Sequence, residues 1–268
     1  YTVTVNEYDV YVDARNTSNE DLQNRGMSED QIDLIKSDAI ENELLEKAAL
    51  SVDELSKLGY DNNQIAILKN YDGQAIEDAP ELRGVFAGMT AKFFKSSAST
   101  SSLKVRVFWE WSNAPALAGD PITDLIAMRW QGTNTGGRPL NVAFNSSKSS
   151  ANVNYYTRDG EYKFNRSVDI VCDSPYDHAY AEIPVSSGEY EDGWTIYAKS
   201  GNMYVQVDRT GTDSIKEAAF VFGYGHTVIA ISPSLSLPAS FGIGFSWGTE
   251  KMVEEAIRMD NKGIITEY

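Results

Sequence analysis

The chain has 268 residues, 42% apolar, 11% aromatic and 23% charged, a length and balance that support one large core or two smaller ones without covalent staples. A net charge of −16 opposes unassisted binding to nucleic acid or anionic lipid, because the long-range field repels phosphate. A single cysteine, Cys172, excludes an intrachain disulfide framework and a thiolate metal cluster, and no apolar run reaches the roughly 18–20 residues of a spanning helix.

The charge is uneven. Residues 1–83 hold 19 acids against 7 bases, a net of −12, and residues 84–268 hold 20 against 16, a net of −4. A solvated helical face is the ordinary home for such an excess. The chain opens at Tyr1 rather than Met, as a mature chain does after loss of a signal peptide. With cysteine almost unused and Tyr, Ser, Thr, Asn and Gly plentiful, an extracellular or cell-surface location is expected.

Taken in order, residues 1–13 (YTVTVNEYDVYVD) alternate as a strand whose parity flips at Asn6-Glu7: Tyr1, Val3 and Val5 share one face, and Tyr8, Val10 and Val12 the other. Helical sequence separates this strand from all others. It therefore either joins its own chain's sheet or completes a neighbour's, which makes those six residues a candidate assembly strand. Residues 16–88 read as an acidic helical subdomain. Within it DLQNRGMSEDQIDLIKS, from Asp21, recurs 33 residues later as ELSKLGYDNNQIAILKN, from Glu54. Each copy runs from a short helix through a glycine, Gly26 or Gly59, to a cap, Ser28 or Asp61, with Gln31 or Gln64 at capping-box spacing. Ile40, Leu44, Leu45 and Ala48 predict a further helix between them.

From residue 89 the period is two. Strands are predicted at Thr90–Phe94, Leu103–Trp111, Leu125–Gln131, Leu140–Phe144, Val153–Tyr156, Glu161–Val171, Ala179–Ile183, Thr195–Ala198, Met203–Val207, Ala218–Tyr224, Thr227–Ile231 and Phe241–Trp247. Turn-rich segments separate them, with Asp159-Gly160 and Gly201-Asn202 as two-residue hairpin turns. Residues 249–260 (TEKMVEEAIRMD) carry apolar Met252, Val253, Ala256 and Ile257 at helical spacing. The expectation is a mainly β chain with some α: an antiparallel β-sandwich over residues 89–248, a small helical subdomain near the N-terminus, and a C-terminal helix opening the tail 249–268. The segments WEWSNAP (Trp109–Pro115) and ITDLIAMRW (Ile122–Trp130) resemble uncharacterised secreted proteins of Gram-positive bacteria across the β half, which supports the extracellular expectation.

Catalytic signatures are sparse. His178 follows Asp177 and His226 lies in GYGHT, but no GxSxG elbow presents a nucleophile. Cys172, in the run VDIVC, reads as a small buried apolar residue. Glu110 lies between Trp109 and Trp111; alternation puts the two tryptophans in the core and the acid outside, with no second acid in support. No cofactor fingerprint or zinc pattern is present, and the EF-hand pattern fails everywhere. Asp120 and Asp124, bracketing a proline turn, are left as a weak surface calcium pair. Phe241, Ile243, Phe245 and Trp247 alternate with Gly and Ser, the pattern of a closely packed strand or of a membrane-inserting one.

Together these point to a secreted, non-catalytic cell-surface protein that acts by binding or by self-assembly, structural or adhesive in character. One alternative is a β-pore-forming or membrane-active protein using residues 218–248. Another is a carbohydrate-binding module using Tyr155, Tyr156, Tyr190 and Trp194. The expected partner is the protein itself, another surface protein or a glycan, not nucleic acid, and a membrane only on the pore reading.

Overall fold

The computed structural model describes residues 1–24, 27–113, 123–191, 194–227, 234–236, 244–246 and 249–268. Strand β1 (Thr2–Asn6) leads into six helices: α1 (Glu7–Asn16), α2 (Asn19–Asn24), α3 (Glu29–Lys36), α4 (Ala39–Ala49), α5 (Val52–Lys57) and α6 (Asn62–Asn70). The chain then continues through β2 (Gly88–Ala98), β3 (Ser102–Trp111), β4 (Thr123–Asn134), β5 (Pro139–Leu140), β6 (Val142–Phe144), β7 (Ser150–Tyr156), β8 (Tyr162–Val168), β9 (Val171–Ser174) and β10 (His178–Pro184). It ends with β11 (Ser186–Glu191), β12 (Trp194–Arg209), β13 (Ile215–Thr227), β14 (Ser234–Ser236), β15 (Gly244–Ser246), β16 (Thr249–Asp260) and β17 (Ile265–Glu267).

Two antiparallel sheets face each other. The first has the order β1-β2-β3-β12-β7-β8, with β6 and β11 also on β12, and the second β17-β16-β13-β4-β10-β9, with β5 on β4. Between them lies one apolar core in which Phe93, Trp109, Trp111, Trp130, Phe220, Phe222 and Tyr224 are fully buried. Trp109 and Trp111 point inward and Glu110 outward, as alternation along LKVRVFWEW requires. The sandwich-like, mostly β architecture is therefore the predicted one.

Several predicted elements take another form. The N-terminal strand stops at Asn6, whose side chain accepts the Tyr8 N–H and caps α1. The parity flip at Asn6-Glu7 thus marks a strand-to-helix switch rather than a bulge, and Tyr8, Val10 and Val12 are helical. Thr2–Asn6 pairs along its length with Gly88–Lys92 of the same chain. Gly201-Asn202 is not a turn but the middle of β12, which runs unbroken through both strands predicted there. A Cβ at Gly201 would strike the Asn152 carbonyl and lie 2.6 Å from the Trp109 ring, so glycine here admits the indole beneath the strand. Asp159-Gly160 does turn the β7–β8 hairpin, with Gly160 at φ +92°.

The predicted C-terminal helix is strand β16, paired with β13 from Glu217↔Asp260 to Thr227↔Thr249. Val253 and Ile257 fit period two as well as a helical stripe, Met259 fits period two alone, and all three are buried in the sandwich core. The open edge of β13 decides between the two readings, since tertiary pairing overrides local propensity. Of the predicted strand Phe241–Trp247, the described residues include Gly244–Ser246, paired with Ser234–Ser236. Phe241, Ile243 and Trp247 lie outside the described residues, as does the side chain of Phe245.

The 33-residue duplication is visible as geometry. Met27 N–H bonds the Leu22 carbonyl at 3.1 Å, and Tyr60 N–H bonds the Leu55 carbonyl at 3.2 Å, the same helix-ending bond in both copies. Lys36 Nζ reaches the Ala14, Arg15 and Thr17 carbonyls at the end of α1. Its counterpart Lys69 reaches the Ala48 and Leu50 carbonyls at the end of α4. Since α1 and α4 are also offset by 33 residues, with Tyr11 and Leu44 both fully buried, the duplicated unit has three helices. Its first member is hidden in the stretch that alternates like a strand.

Candidate ligand-binding face

Strict alternation along β2, β3, β12 and β7 sends one residue set into the core and the other onto the outer face of the first sheet. Cross-strand register arranges that outer set in rows. One row runs Thr2, Lys92, Phe108, Asn202, Asn152 and Ser167 across all six strands of the main path. A neighbouring row joins Phe94, Arg106, Tyr204 and Ser150. On the other side lies a row that includes Thr4, Thr90 and Glu110 and ends at Asn154 and Asn165.

Side chains link the rows sideways. The Asn202 amide donates to Asn152 Oδ1 at 3.2 Å, Asn165 to Asn154 Oδ1 at 2.8 Å, and Asn154 to Ser200 Oγ at 3.0 Å. The Arg106 guanidinium lies 4.3 Å from the Phe94 ring centre, Lys104 Nζ 5.4 Å from that of Tyr204 and Lys92 Nζ 5.9 Å from that of Phe108. Among the described residues none of these three cations forms an ion pair. Phe94 and Tyr162 keep 40% and 51% of their surface exposed. The result is a broad surface of amides, hydroxyls, cations and rings, held in register by backbone pairing.

A second polar constellation is wholly buried, where α1 meets the end of the sandwich. Asp124, at the start of β4, accepts the Tyr224 hydroxyl at 2.7 Å and His226 Nδ1 at 2.9 Å. Tyr224 in turn accepts the Trp111 indole N–H at 3.2 Å. On the far side of the imidazole, Nε2 lies 3.5 Å from Glu7 Oε1, while Glu7 Oε2 accepts the Ala87 N–H at 2.7 Å. Burial alone would depress the His226 pKa, but the charge and hydrogen bond of Asp124, with Glu7 and Glu43 behind, reverse this and leave it raised. Burial and the same aspartate push Tyr224 well above its ordinary value. Glu7, Asp124 and His226 are closed to solvent, and the residues around the imidazole hold it from both sides without presenting a nucleophile.

The other sequence-singled residues fall elsewhere. Tyr155 is core, its hydroxyl donating to the Pro184 carbonyl at 2.8 Å, so it is no ligand aromatic. Tyr156 is half-buried on the outer face beside Tyr162, and Tyr190 is 61% exposed on β11. The side chain of Trp194 lies outside the described residues, as does Asp120. Asp124 is interior, which removes the surface calcium pair. Cys172 donates to the His178 carbonyl at 3.3 Å and burial raises its pKa, the opposite of nucleophile activation. His178 Nδ1 contacts Asp177 at 3.0 Å, and Asp177 receives Arg129 at 2.8 Å. Arg129 and Asp177 border a cleft of about 300 Å³, but their charges already neutralise each other.

The outer face has no local signature in the sequence, because each of its residues is ordinary alone. The signal lies in the even-numbered residues of 104–111 (KVRVFWEW) and 201–208 (GNMYVQVD), visible once the strands are placed side by side.

No family model matches the chain, and no curated protein matches it. Solved structures resemble it slightly. The macrocyclisation enzyme AvmM of alchivemycin A biosynthesis is 13% identical over 64% of this chain and 88% of its own, with a TM-score of 0.29. The collagen-binding domain of a Staphylococcus aureus adhesin is 10% identical over 63% of this chain and 97% of its own, with a TM-score of 0.30. The family 3a carbohydrate-binding module from the cipA scaffolding of Clostridium thermocellum is 12% identical over 67% of this chain and 99% of its own, with a TM-score of 0.22.

Proposed function

We propose that the chain is a non-catalytic, extracellular binding module that lays an extended polysaccharide across the outer face of its first sheet. The carrying observation is the row structure of that face. The amide pairs Asn202/Asn152 and Asn154/Asn165 each stand at the ladder spacing of about 4.8 Å between strands. They lie beside exposed rings and cations, the groups that hydrogen-bond and stack on sugar hydroxyls and ring faces. The resemblance of WEWSNAP and ITDLIAMRW to secreted proteins supports the extracellular part of the reading, and the absence of nucleophile-elbow and cofactor motifs from the sequence supports the non-catalytic part.

The test is affinity electrophoresis of the full chain through gels containing soluble polysaccharides. A retarding polysaccharide is expected, and the double variant Asn152→Ala/Asn202→Ala together with Phe94→Ala should abolish the retardation. Glu182→Ala, exposed on the other sheet, should leave it intact. Retardation that survives the triple change, or none on any polysaccharide, would overturn the reading.

A further inference from the structure

Resting on that binding face, we propose that the polysaccharide is anionic, its acid groups seated along the line Lys104, Arg106 and Lys92. On a chain of net charge −16, these three cations project together from β2 and β3 and, among the described residues, have no carboxylate partner. Each lies over an aromatic ring instead. A ring orients the cation without neutralising it, so the N–H donors remain available to an incoming acid.

The spacing suits a repeating acid. Lys104 and Arg106 are two residues apart on β3, about 6.8 Å along the strand. Phe108 is the next outward position, and Lys92 is its partner on β2. The charges therefore step along the strand direction at intervals of about 7 Å. The acids of the face stand at its margins. Glu110 opposes Thr90 toward the helical end. Asp208, opposite Ser102, accepts the Asn145 and Gln206 amides at 2.6 and 2.8 Å. Asn202 and Tyr204, beside the cations, supply partners for sugar hydroxyls.

The overall negative field selects among polyanions. Duplex DNA carries a charge about every 1.7 Å of its axis and is repelled far more than a glycan with one acid per ring or two.

Titration calorimetry of the full chain against polygalacturonate, dextran and duplex DNA separates the outcomes. Polygalacturonate is expected to bind more tightly than either, and to weaken with added salt. Lys92→Gln, Lys104→Gln and Arg106→Gln should each lower its affinity about threefold and together about 30-fold, as exposed ion pairs do. Arg106→Lys, which keeps the charge, should lose less. Unchanged unfolding temperatures show that the variants fold. Dextran bound as well as polygalacturonate, with no effect of the triple Gln change but loss on Asn152→Ala/Asn202→Ala, overturns the anionic assignment and keeps the binding face. DNA bound as tightly as polygalacturonate also overturns it. Indifference to both sets of variants overturns the face itself.

Discussion

Along β3 the outward residues are Lys104, Arg106, Phe108 and Glu110, all partly exposed, and every inward residue is buried. Along β4, in the opposing sheet, the outward residues include Leu125 and Ala127, exposed by 1% and 0%. Together with Val221 of β13 they form an apolar cluster of their own, with Tyr180 and Ala256 packed against it. One sheet is thus buried on a single face and the other on both over part of its width. The difference is written in the strands: LKVRVFWEW alternates, whereas Leu125–Met128 (LIAM) is continuously apolar up to Arg129, as doubly covered strands are. An outer face that burial does not claim is free to carry a ligand, and that is why the first sheet holds the candidate site.

Reversing the chemistry of the two faces should break this comparison most sharply. Leu125→Asp would place an unpaired carboxylate in the covered cluster and cost roughly 4 kcal/mol or more. Arg106→Asp, on the open face, should stay within about 1 kcal/mol. Urea unfolding with matched slopes reads both. Equal losses would mean that the first sheet is also covered in solution.

Next in size is the buried cluster joining helices to sandwich. His226→Leu leaves Asp124 and Glu7 as carboxylates without the imidazole between them, at a cost of about 3–5 kcal/mol. Glu7→Gln keeps the Asp124 contact and should cost less, about 1–2 kcal/mol. If Glu7→Gln proved the more damaging, its bond to the Ala87 N–H would outweigh its charge.

The same cluster fixes a pH dependence. The groups facing His226 are Asp124 from β4, Glu7 from α1 and, further off, Glu43 from α4, with Tyr224 bound to Asp124. Because the His226 pKa is raised on folding, its contribution is complete below about pH 6.5. It is lost as the pH rises through the folded value. Unfolding temperatures recorded from mildly acidic to alkaline pH should fall on the alkaline side, and the fall should shrink in His226→Leu. A wild-type profile that rises with pH there would contradict the imidazolium.

How much of this was legible in the sequence depended on whether a periodicity had one meaning. VRVFWEW reads only as a strand with one apolar face, and the capping pairs Ser51/Glu54 and Asp61/Gln64 form both bonds of the box. Residues 7–16 and 249–260 fit both periods, and partners distant in sequence decided them: Phe86 against Tyr8 and Tyr11 for the first, β13 for the second. The candidate face is still less local. Lys92, Arg106, Tyr204 and Asn152 lie far apart in the chain, and only the register of four strands shows that they are neighbours. His226 was similarly opaque, since its partners come from α1 and β4 and GYGHT names neither.

The smallest effects belong to the amide ladder. Asn165 is exposed at the edge strand β8, and its one ladder bond goes to Asn154. Replacing it by alanine removes an exchangeable bond at the surface, so Asn165→Ala should change stability by no more than about 0.5 kcal/mol. Asn152→Ala lies deeper, in the middle of the row, where the bond from Asn202 is partly shielded, and about 1 kcal/mol is expected. Both lie far below Leu125→Asp. If the ladder were there to hold the sandwich together, Asn152→Ala and Asn165→Ala would add to several kcal/mol in urea unfolding. Near-wild-type stability combined with lost polysaccharide retardation is what separates a recognition surface from a structural one.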